Sequence, residues 1–202
     1  MTSLNRAEAS TILNHLGWRV NTAQRYHEAV EDFQRGWALG PALTVDGKVG
    51  PVTSAALRVS EARRKKGVGT ASLHFSFYEF ACKCGGRYAS CRRVRTHRLF
   101  LKSLEQLRTK VYPHGMSIVS GYRCPGHNSA VGGASSSQHL FGAAADIGYA
   151  ASSTFIGNLG LFSGIGRSAR TGLVRHVDRR DISGNNTTGA SVGRPTIWNY
   201  AS

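Results

Sequence analysis

Apolar side chains recur at helical spacing three times in the first third of this chain, which is the pattern that most limits its fold. The three stripes are Ala9, Ile12, Leu13 and Leu16, then Tyr26, Val30, Phe33 and Trp37, then Val52, Ala55, Ala56 and Val59. We expect Gly17 to end the first helix, Asn21 or Thr22 to cap the second, and Pro51 to open the third. Because such short helices are unstable alone, the pattern predicts a small three-helix unit in which they bury one another.

After residue 70 the pattern becomes mixed. Apolar spacing predicts a helix over about 96–110, and short strands are predicted at 116–122, 143–147 and 173–178. Because these elements lack a strand–helix–strand rhythm, they favour an α+β fold with a short antiparallel sheet flanked by helices. We therefore expect an N-terminal three-helix domain over 1–66, a linker over 67–72 and a second domain over 73–202.

The chain is strongly basic, with 26 Lys and Arg against 11 Asp and Glu and a net charge of +15. Such a charge favours a polyanionic partner, for example nucleic acid, anionic lipid or an acidic wall polymer. No apolar run is long enough for a membrane-spanning helix, and no secretory leader is visible, so we expect no membrane insertion and synthesis in the cytosol. From residue 81 onward the carboxylates are Glu105, Asp146, Asp178 and Asp181.

A histidine and an aspartate, His139 and Asp146, stand seven residues apart around a Gly-Ala-Ala-Ala run. Small residues allow tight packing behind a site on which the two polar side chains converge. Imidazole and carboxylate are good zinc ligands, but a catalytic zinc needs a third protein ligand. On the strand predicted at 173–178, His176 and Asp178 share one face, so this strand is the best source of that ligand.

Two parts of the chain resemble known families. Val45-Asp46-Gly47-Lys48-Val49-Gly50-Pro51-Val52-Thr53, with its flanking helices, resembles the small peptidoglycan-binding domain found beside many cell-wall hydrolases. The blocks Ser120-Gly121-Tyr122-Arg123, Asn128-x-x-Val131-Gly132-Gly133, Ser137-x-His139-x-x-Gly142-x-Ala144-x-Asp146 and His176-Val177-Asp178 together resemble the zinc D-Ala-D-Ala carboxypeptidase family, whose relatives include phage endolysin peptidases.

The second resemblance implies a Zn²⁺ cofactor with His139, Asp146 and His176 as its ligands. It also implies a substrate-facing role for Arg123, whose guanidinium suits a carboxylate or a developing oxyanion. Ser137 and Gln138 are expected to line the substrate cleft.

One departure from the family concerns the general base, because Leu173 stands where many members have an acidic residue. Asp178 is the favoured candidate for a catalytic role, either as the base or as a carboxylate that orients a ligand histidine. Asp181 is the fallback, and Glu105 is expected to pair with a neighbouring Arg or Lys.

The cysteines, Cys82, Cys84, Cys91 and Cys124, do not have the spacing of a common zinc ribbon. A structural disulfide or reduced buried thiols are favoured, and a tetrathiolate metal site is the alternative.

Together these features predict a monomeric peptidoglycan hydrolase that cuts an amide bond in the stem or cross-bridge peptide. The pairing of domains resembles a phage endolysin, held in the host cytoplasm until lysis and acting on the cell wall after release. The alternative is a non-catalytic, metal-containing protein that binds cell wall or nucleic acid. Scattered basic residues without an aromatic platform argue against a nucleic-acid partner.

Overall fold

The computed structural model describes residues 2–148 and 151–200. Its N-terminal part contains three helices. They are α1 (Arg6–Leu16), α2 (Ala23–Gly36) and α3 (Pro51–Lys65). Gly17 follows α1 with a φ of 118°, the Thr22 side chain caps α2, and Pro51 opens α3. The three helices predicted from periodicity are therefore present, with the predicted boundary signals.

A buried glutamine organises the turn between α2 and α3. The Gln34 carbonyl accepts from the backbone N–H groups of Asp46 and Gly47, each at 3.0 Å. Its amide donates to Asp46 Oδ1 at 2.8 Å and to Thr53 Oγ1 at 3.2 Å. The residues that carry the first resemblance therefore shape this turn.

The described residues after α3 combine three further helices with a sheet. The helices are α4 (Arg98–Val111), α5 (Pro125–Ala130) and α6 (Ser153–Asn158). The strands are β1 (Ile118–Ser120), β2 (Ala144–Ile147), β3 (Gly164–Ser168), β4 (Val174–Asp178) and β5 (Thr196–Tyr200). Single 3₁₀ turns lie at Phe77–Phe80, Gln138–Phe141 and Arg180–Ile182.

The sheet has the strand order β1-β2-β4-β3-β5. The first four strands pair antiparallel, whereas β5 pairs parallel with β3. The predicted α+β class is confirmed, and the antiparallel sheet predicted from sequence is extended by two strands, β3 and β5, that we did not predict.

One hydrophobic core runs from the N-terminal helices into the sheet. Phe77 packs against Trp18 and Phe33, with ring centroids 4.9 and 5.4 Å apart, and the Trp18 indole N–H donates to the Val94 carbonyl at 3.1 Å. Thr70, Ala71 and Ser72, in the segment predicted as a linker, are buried rather than exposed. The division into two domains stays a prediction.

No helix among residues 2–148 and 151–200 is both long and apolar enough to cross a membrane.

Candidate active site

The sheet register brings two of the predicted ligands together. Asp146 on β2 lies directly opposite His176 on β4, so both side chains project from the same face. His139 comes from the 3₁₀ turn Gln138–Phe141, which ends at Gly142 with a φ of 70°. A Cβ atom on Gly142 would lie 2.7 Å from the Arg95 backbone, so glycine permits the turn to pack against that segment.

The three side chains place one donor atom each at a common point. His139 Nε2 lies 3.1 Å from His176 Nδ1 and 3.3 Å from Asp146 Oδ1, and His176 Nδ1 lies 3.1 Å from Asp146 Oδ1. In a tetrahedral zinc site with ligand bonds of about 2.0–2.1 Å, neighbouring ligand atoms are about 3.4 Å apart. The donor set and its spacing therefore fit a zinc ion bound by three protein ligands.

The remaining nitrogen of each imidazole has its own acceptor. His139 Nδ1 donates to the Gly121 carbonyl at 2.5 Å, and His176 Nε2 donates to Asp178 Oδ2 at 3.2 Å. These bonds fix the ring orientations and leave the other nitrogen of each ring free for a metal.

Asp178 is buried and fully occupied by protein donors. Besides the bond from His176, its Oδ1 accepts from the backbone N–H of Arg180 at 3.1 Å and from Arg180 Nε at 3.0 Å. Its Oδ2 also accepts from Arg180 Nη2 at 2.6 Å. Burial raises the pKa of Asp178, but the bonds from His176 and Arg180 outweigh it and bring the pKa down to about 2. Of the two roles predicted for Asp178, this geometry supports the orienting one.

Arg123 connects the candidate metal ligands to the loop before α5. Its guanidinium contacts Asp146 Oδ2 and donates to Ser120 Oγ at 3.1 Å, and its backbone N–H donates to the His139 carbonyl at 3.1 Å. Arg123 thus holds the Asp146 oxygen that faces away from the histidines.

Burial and hydrogen bonding shift the pKa values of these three side chains in different directions. Burial lowers the pKa of His139. For His176 burial also lowers the pKa, but hydrogen bonds to Asp146 and Asp178 on either side of the ring outweigh it, and the net shift is upward. Burial raises the pKa of Asp146, and the two imidazoles together lower it well below its ordinary range, so this carboxylate is ionised.

A family-level match covers the segment that contains two of these candidate ligands. Residues 73–159 match the Peptidase M15 family. The peptidases of this family are zinc-dependent, and the match supports a metallopeptidase. It includes His139 and Asp146 and ends before His176 and Asp178. No curated protein matches the chain.

A cleft of about 380 Å³ opens beside the candidate metal site. His176, Asp178, Arg123 and Arg180 line one part of it. The loop 132–138, which contains Ser137 and Gln138, lies on one side, and residues 185–200 contribute the other.

The two residues predicted to bind substrate differ in their surroundings. Ser137 lines the cleft and is half-buried. Gln138 is buried, and its amide donates to the Asn185 carbonyl at 3.1 Å, so it joins the two sides of the cleft.

Two aromatic residues of the cleft, Trp198 and Tyr200 on β5, were not predicted from the sequence. Their rings lie 5.2 and 6.0 Å from the His176 ring, and Arg180 stacks over Trp198 at 4.8 Å. The alternation of Thr196, Trp198 and Tyr200 is a strand signal that could have revealed this wall.

Two glycines on β3 were also missed. Gly164 lies opposite Asp178 and Gly166 lies opposite His176. A Cβ atom would lie 2.3 Å from the Asp178 carboxylate oxygens at Gly164 and 2.4 Å from the Tyr200 ring at Gly166. The Gly-x-Gly spacing places both on the face that carries the site.

The other candidate carboxylates do not face the metal site. Asp181 accepts from Ser163 Oγ at 2.6 Å and pairs with Arg179. Glu105 bonds Ser72 Oγ and His74 rather than the Arg or Lys that we expected, which corrects that prediction. Leu173 precedes β4 and forms an isolated β-bridge with Ser152, and its aliphatic side chain offers no proton acceptor.

Proposed function

We propose that this protein is a peptidoglycan hydrolase that cleaves an amide bond in the murein stem or cross-bridge peptide. The observation that carries the proposal is the cluster of His139, Asp146 and His176 donor atoms beside an open cleft. The Peptidase M15 match adds support for peptide-bond hydrolysis.

His139, Asp146 and His176 would hold the metal in this reaction. A bound zinc ion would supply Lewis-acid activation of water and polarisation of the scissile carbonyl. Gly121 and Asp178 orient the two imidazoles, and Arg123 holds Asp146. The chain's own contribution is thus a pre-formed ligand set.

The chemistry of the cleft suits an acidic peptide substrate. Arg123 and Arg180 are the two arginines of its lining, and Ser137 and Thr196 add hydroxyl groups. Murein stem peptides carry carboxylates, which guanidinium groups bind well. The net charge of +15 would also concentrate the protein at an anionic wall.

The Tyr200 phenol is a candidate hydrogen-bond donor in the cleft. Burial raises its pKa, and the nearby Asp146 carboxylate raises it further, so the hydroxyl stays protonated at neutral pH. A protonated phenol can donate to an oxygen that gains negative charge during hydrolysis.

The wider biological setting is part of the same proposal. The three N-terminal helices would bind peptidoglycan and raise the local concentration of the catalytic part at the wall. We propose a monomeric, endolysin-like protein that stays in the host cytoplasm until lysis, without membrane insertion or a nucleic-acid partner.

One observation favours the non-catalytic alternative. Among residues 2–148 and 151–200, the carboxylates beside the candidate metal site are Asp146 and Asp178. Asp146 would be a metal ligand and its other oxygen contacts Arg123, and both oxygens of Asp178 accept from His176 or Arg180. A carboxylate general base therefore has no free oxygen in this arrangement.

Mass spectrometry of soluble fragments released from purified sacculi tests the proposal. We expect muropeptides with one newly opened amide bond, loss of release on chelation, and recovery when zinc is restored. The variants His139→Ala and His176→Ala should release none. Binding to sacculi without release by the zinc-loaded wild type would contradict hydrolysis and support the alternative.

A further inference from the structure

The four cysteines come together at a second cluster, separate from the His-Asp-His group. Cys82, Cys84 and Cys91 lie on the loop after the 3₁₀ turn Phe77–Phe80, and Cys124 precedes α5. Their Sγ atoms all lie within 4.8 Å of one another. We propose that these four thiolates bind a structural zinc ion, a site that does not depend on the function proposed above.

The sulfur spacing suits a metal rather than disulfides. Cys84 Sγ lies 3.4 Å from Cys91 Sγ and 3.9 Å from Cys124 Sγ. Tetrahedral zinc with Zn–S bonds of about 2.3 Å separates neighbouring sulfurs by about 3.8 Å. A disulfide would need about 2.05 Å, and all four cysteines are free.

Backbone N–H groups point at three of the sulfurs. Gly86 N donates to Cys84 Sγ at 3.3 Å, Arg93 N to Cys91 Sγ at 3.4 Å and Cys124 N to Cys82 Sγ at 3.4 Å. Such bonds stabilise thiolates, the form in which cysteine binds metal.

Backbone strain accompanies one of these bonds. Arg93 has a φ of 69°, which is unfavourable for a residue with a side chain. Cys82 N donates to the Arg93 carbonyl at 2.7 Å, so both ends of the loop meet at this strained residue. A conformation that costs energy and aims an N–H at a sulfur suggests a ligand that offsets the cost.

The surroundings also suit a zinc–tetrathiolate centre, in which four thiolates outweigh the charge of one divalent ion. Cys82, Cys91 and Cys124 are buried, and Tyr122 packs against them. The loop itself supplies cations at Lys83, Arg87 and Arg93, and from residue 80 to 104 the sequence contains no acidic residue. This charge pattern offsets the negative centre.

The proposed ion would tie three parts of the molecule together. Cys124 follows Arg123, whose guanidinium contacts Asp146. It also lies near Gly121, whose carbonyl accepts from His139. Cys91 precedes Arg92, whose Nε donates to the buried Asp32 of α2 at 2.8 Å. The structural site would therefore fix the loop that supports the candidate active site and its contact with the N-terminal helices.

Metal analysis of the full chain, expressed with zinc and purified without chelator, tests this proposal. We expect two zinc ions per chain, one for each donor group, and one ion in the double variant His139→Ala/His176→Ala. X-ray absorption at the zinc edge of that double variant should show sulfur neighbours at about 2.3 Å.

Cobalt substitution gives a second readout. In the double histidine variant we expect the intense thiolate-to-cobalt charge-transfer bands of a tetrahedral sulfur site, and their loss in Cys84→Ser. The double histidine variant retains all four cysteines, so the test stands even if Cys84→Ser fails to fold. The proposal would be overturned if the double histidine variant held no sulfur-bound metal. It would also be overturned if the unfolded wild type had fewer than four free thiols.

Discussion

His176 Nε2 lies 3.2 Å from Asp178 Oδ2, on the opposite side of the imidazole from the Nδ1 atom that faces Asp146 and His139. The carboxylate thus touches His176 and not the point where the three donor atoms converge. Arg180 holds the same carboxylate in place. This relationship supports a role for Asp178 in positioning His176.

We predict that Asp178→Asn lowers zinc affinity at the histidine site by about 10–100-fold, because His176 loses its charged acceptor. Competition with a zinc chelator measures this loss, and excess zinc should restore much of the activity on sacculi. The control Asp181→Asn, which changes a carboxylate bound to Ser163 and Arg179, should keep wild-type affinity. Unchanged zinc affinity with a collapsed kcat in Asp178→Asn would instead identify Asp178 as the general base.

A second prediction concerns Gly164, which leaves room for the Asp178 carboxylate. A Cβ atom there would lie 2.3 Å from both carboxylate oxygens. We expect Gly164→Ala to lower the free energy of unfolding by about 1–3 kcal/mol and to weaken zinc binding, since Asp178 must move.

The matched control for this change is Gly193→Ala. A Cβ atom at Gly193 meets nothing within 4 Å, and its φ is not positive. The Gly193→Ala substitution should change the free energy of unfolding, measured by urea denaturation, by less than about 0.5 kcal/mol. Equal effects at the two glycines would show that Gly164 has no specific relation to Asp178.

The helices could be predicted because their signals are local. Gly17, Thr22 and Pro51 each act on the adjacent turn, and apolar spacing alone places the helical faces. The His139 and Asp146 pair was found from sequence because the two side chains stand close along the chain and bracket small residues. Their partner His176 was found through the family resemblance.

Other features depend on contacts distant in sequence and gave no local signal. Strand β3 contains Gly164 and Gly166. Because glycine is depleted in strands, the sequence of β3 does not look like that of a strand. The burial of Thr70, Ala71 and Ser72 arises from packing against other segments, and a Gly-rich stretch after a basic run looks like an exposed linker. The orientation of Asp178 likewise depends on the Arg180 side chain.

A third prediction tests how the N-terminal helices and the sheet unfold. Phe77 is fully buried against Trp18 and Phe33, whereas its neighbour Tyr78 is 68% exposed. We expect Phe77→Ala to lower the free energy of unfolding by about 3–5 kcal/mol and Tyr78→Ala to change it little.

Because Phe77 belongs to the core that both parts share, Trp fluorescence and far-ultraviolet circular dichroism should give one coincident transition for the wild type and for each variant. Two separated transitions, with only one moved by Phe77→Ala, would show that the parts unfold independently.

The fourth prediction is a pH dependence of stability that comes from His97, at the start of α4. Burial lowers the pKa of His97, and the charges of Arg35 and Arg179 lower it further, to about 4 from 6.5, although Asp181 acts in the opposite direction. Its Nδ1 accepts the Leu99 backbone N–H at 3.3 Å, which requires the neutral ring.

As the pH falls below 6.5, the unfolded chain therefore binds a proton at His97 before the folded chain does. The contribution of His97 to stability is fully present above pH 6.5 and is lost progressively as the pH falls toward about 4. His97→Asn keeps a capping acceptor and removes the titration, so the decline in unfolding free energy across this range should be shallower than in the wild type. His114→Asn, at an exposed site, is the control and should follow the wild-type curve. Urea denaturation at a series of pH values gives these curves, and identical slopes for His97→Asn and the wild type would contradict a neutral His97 in the folded chain.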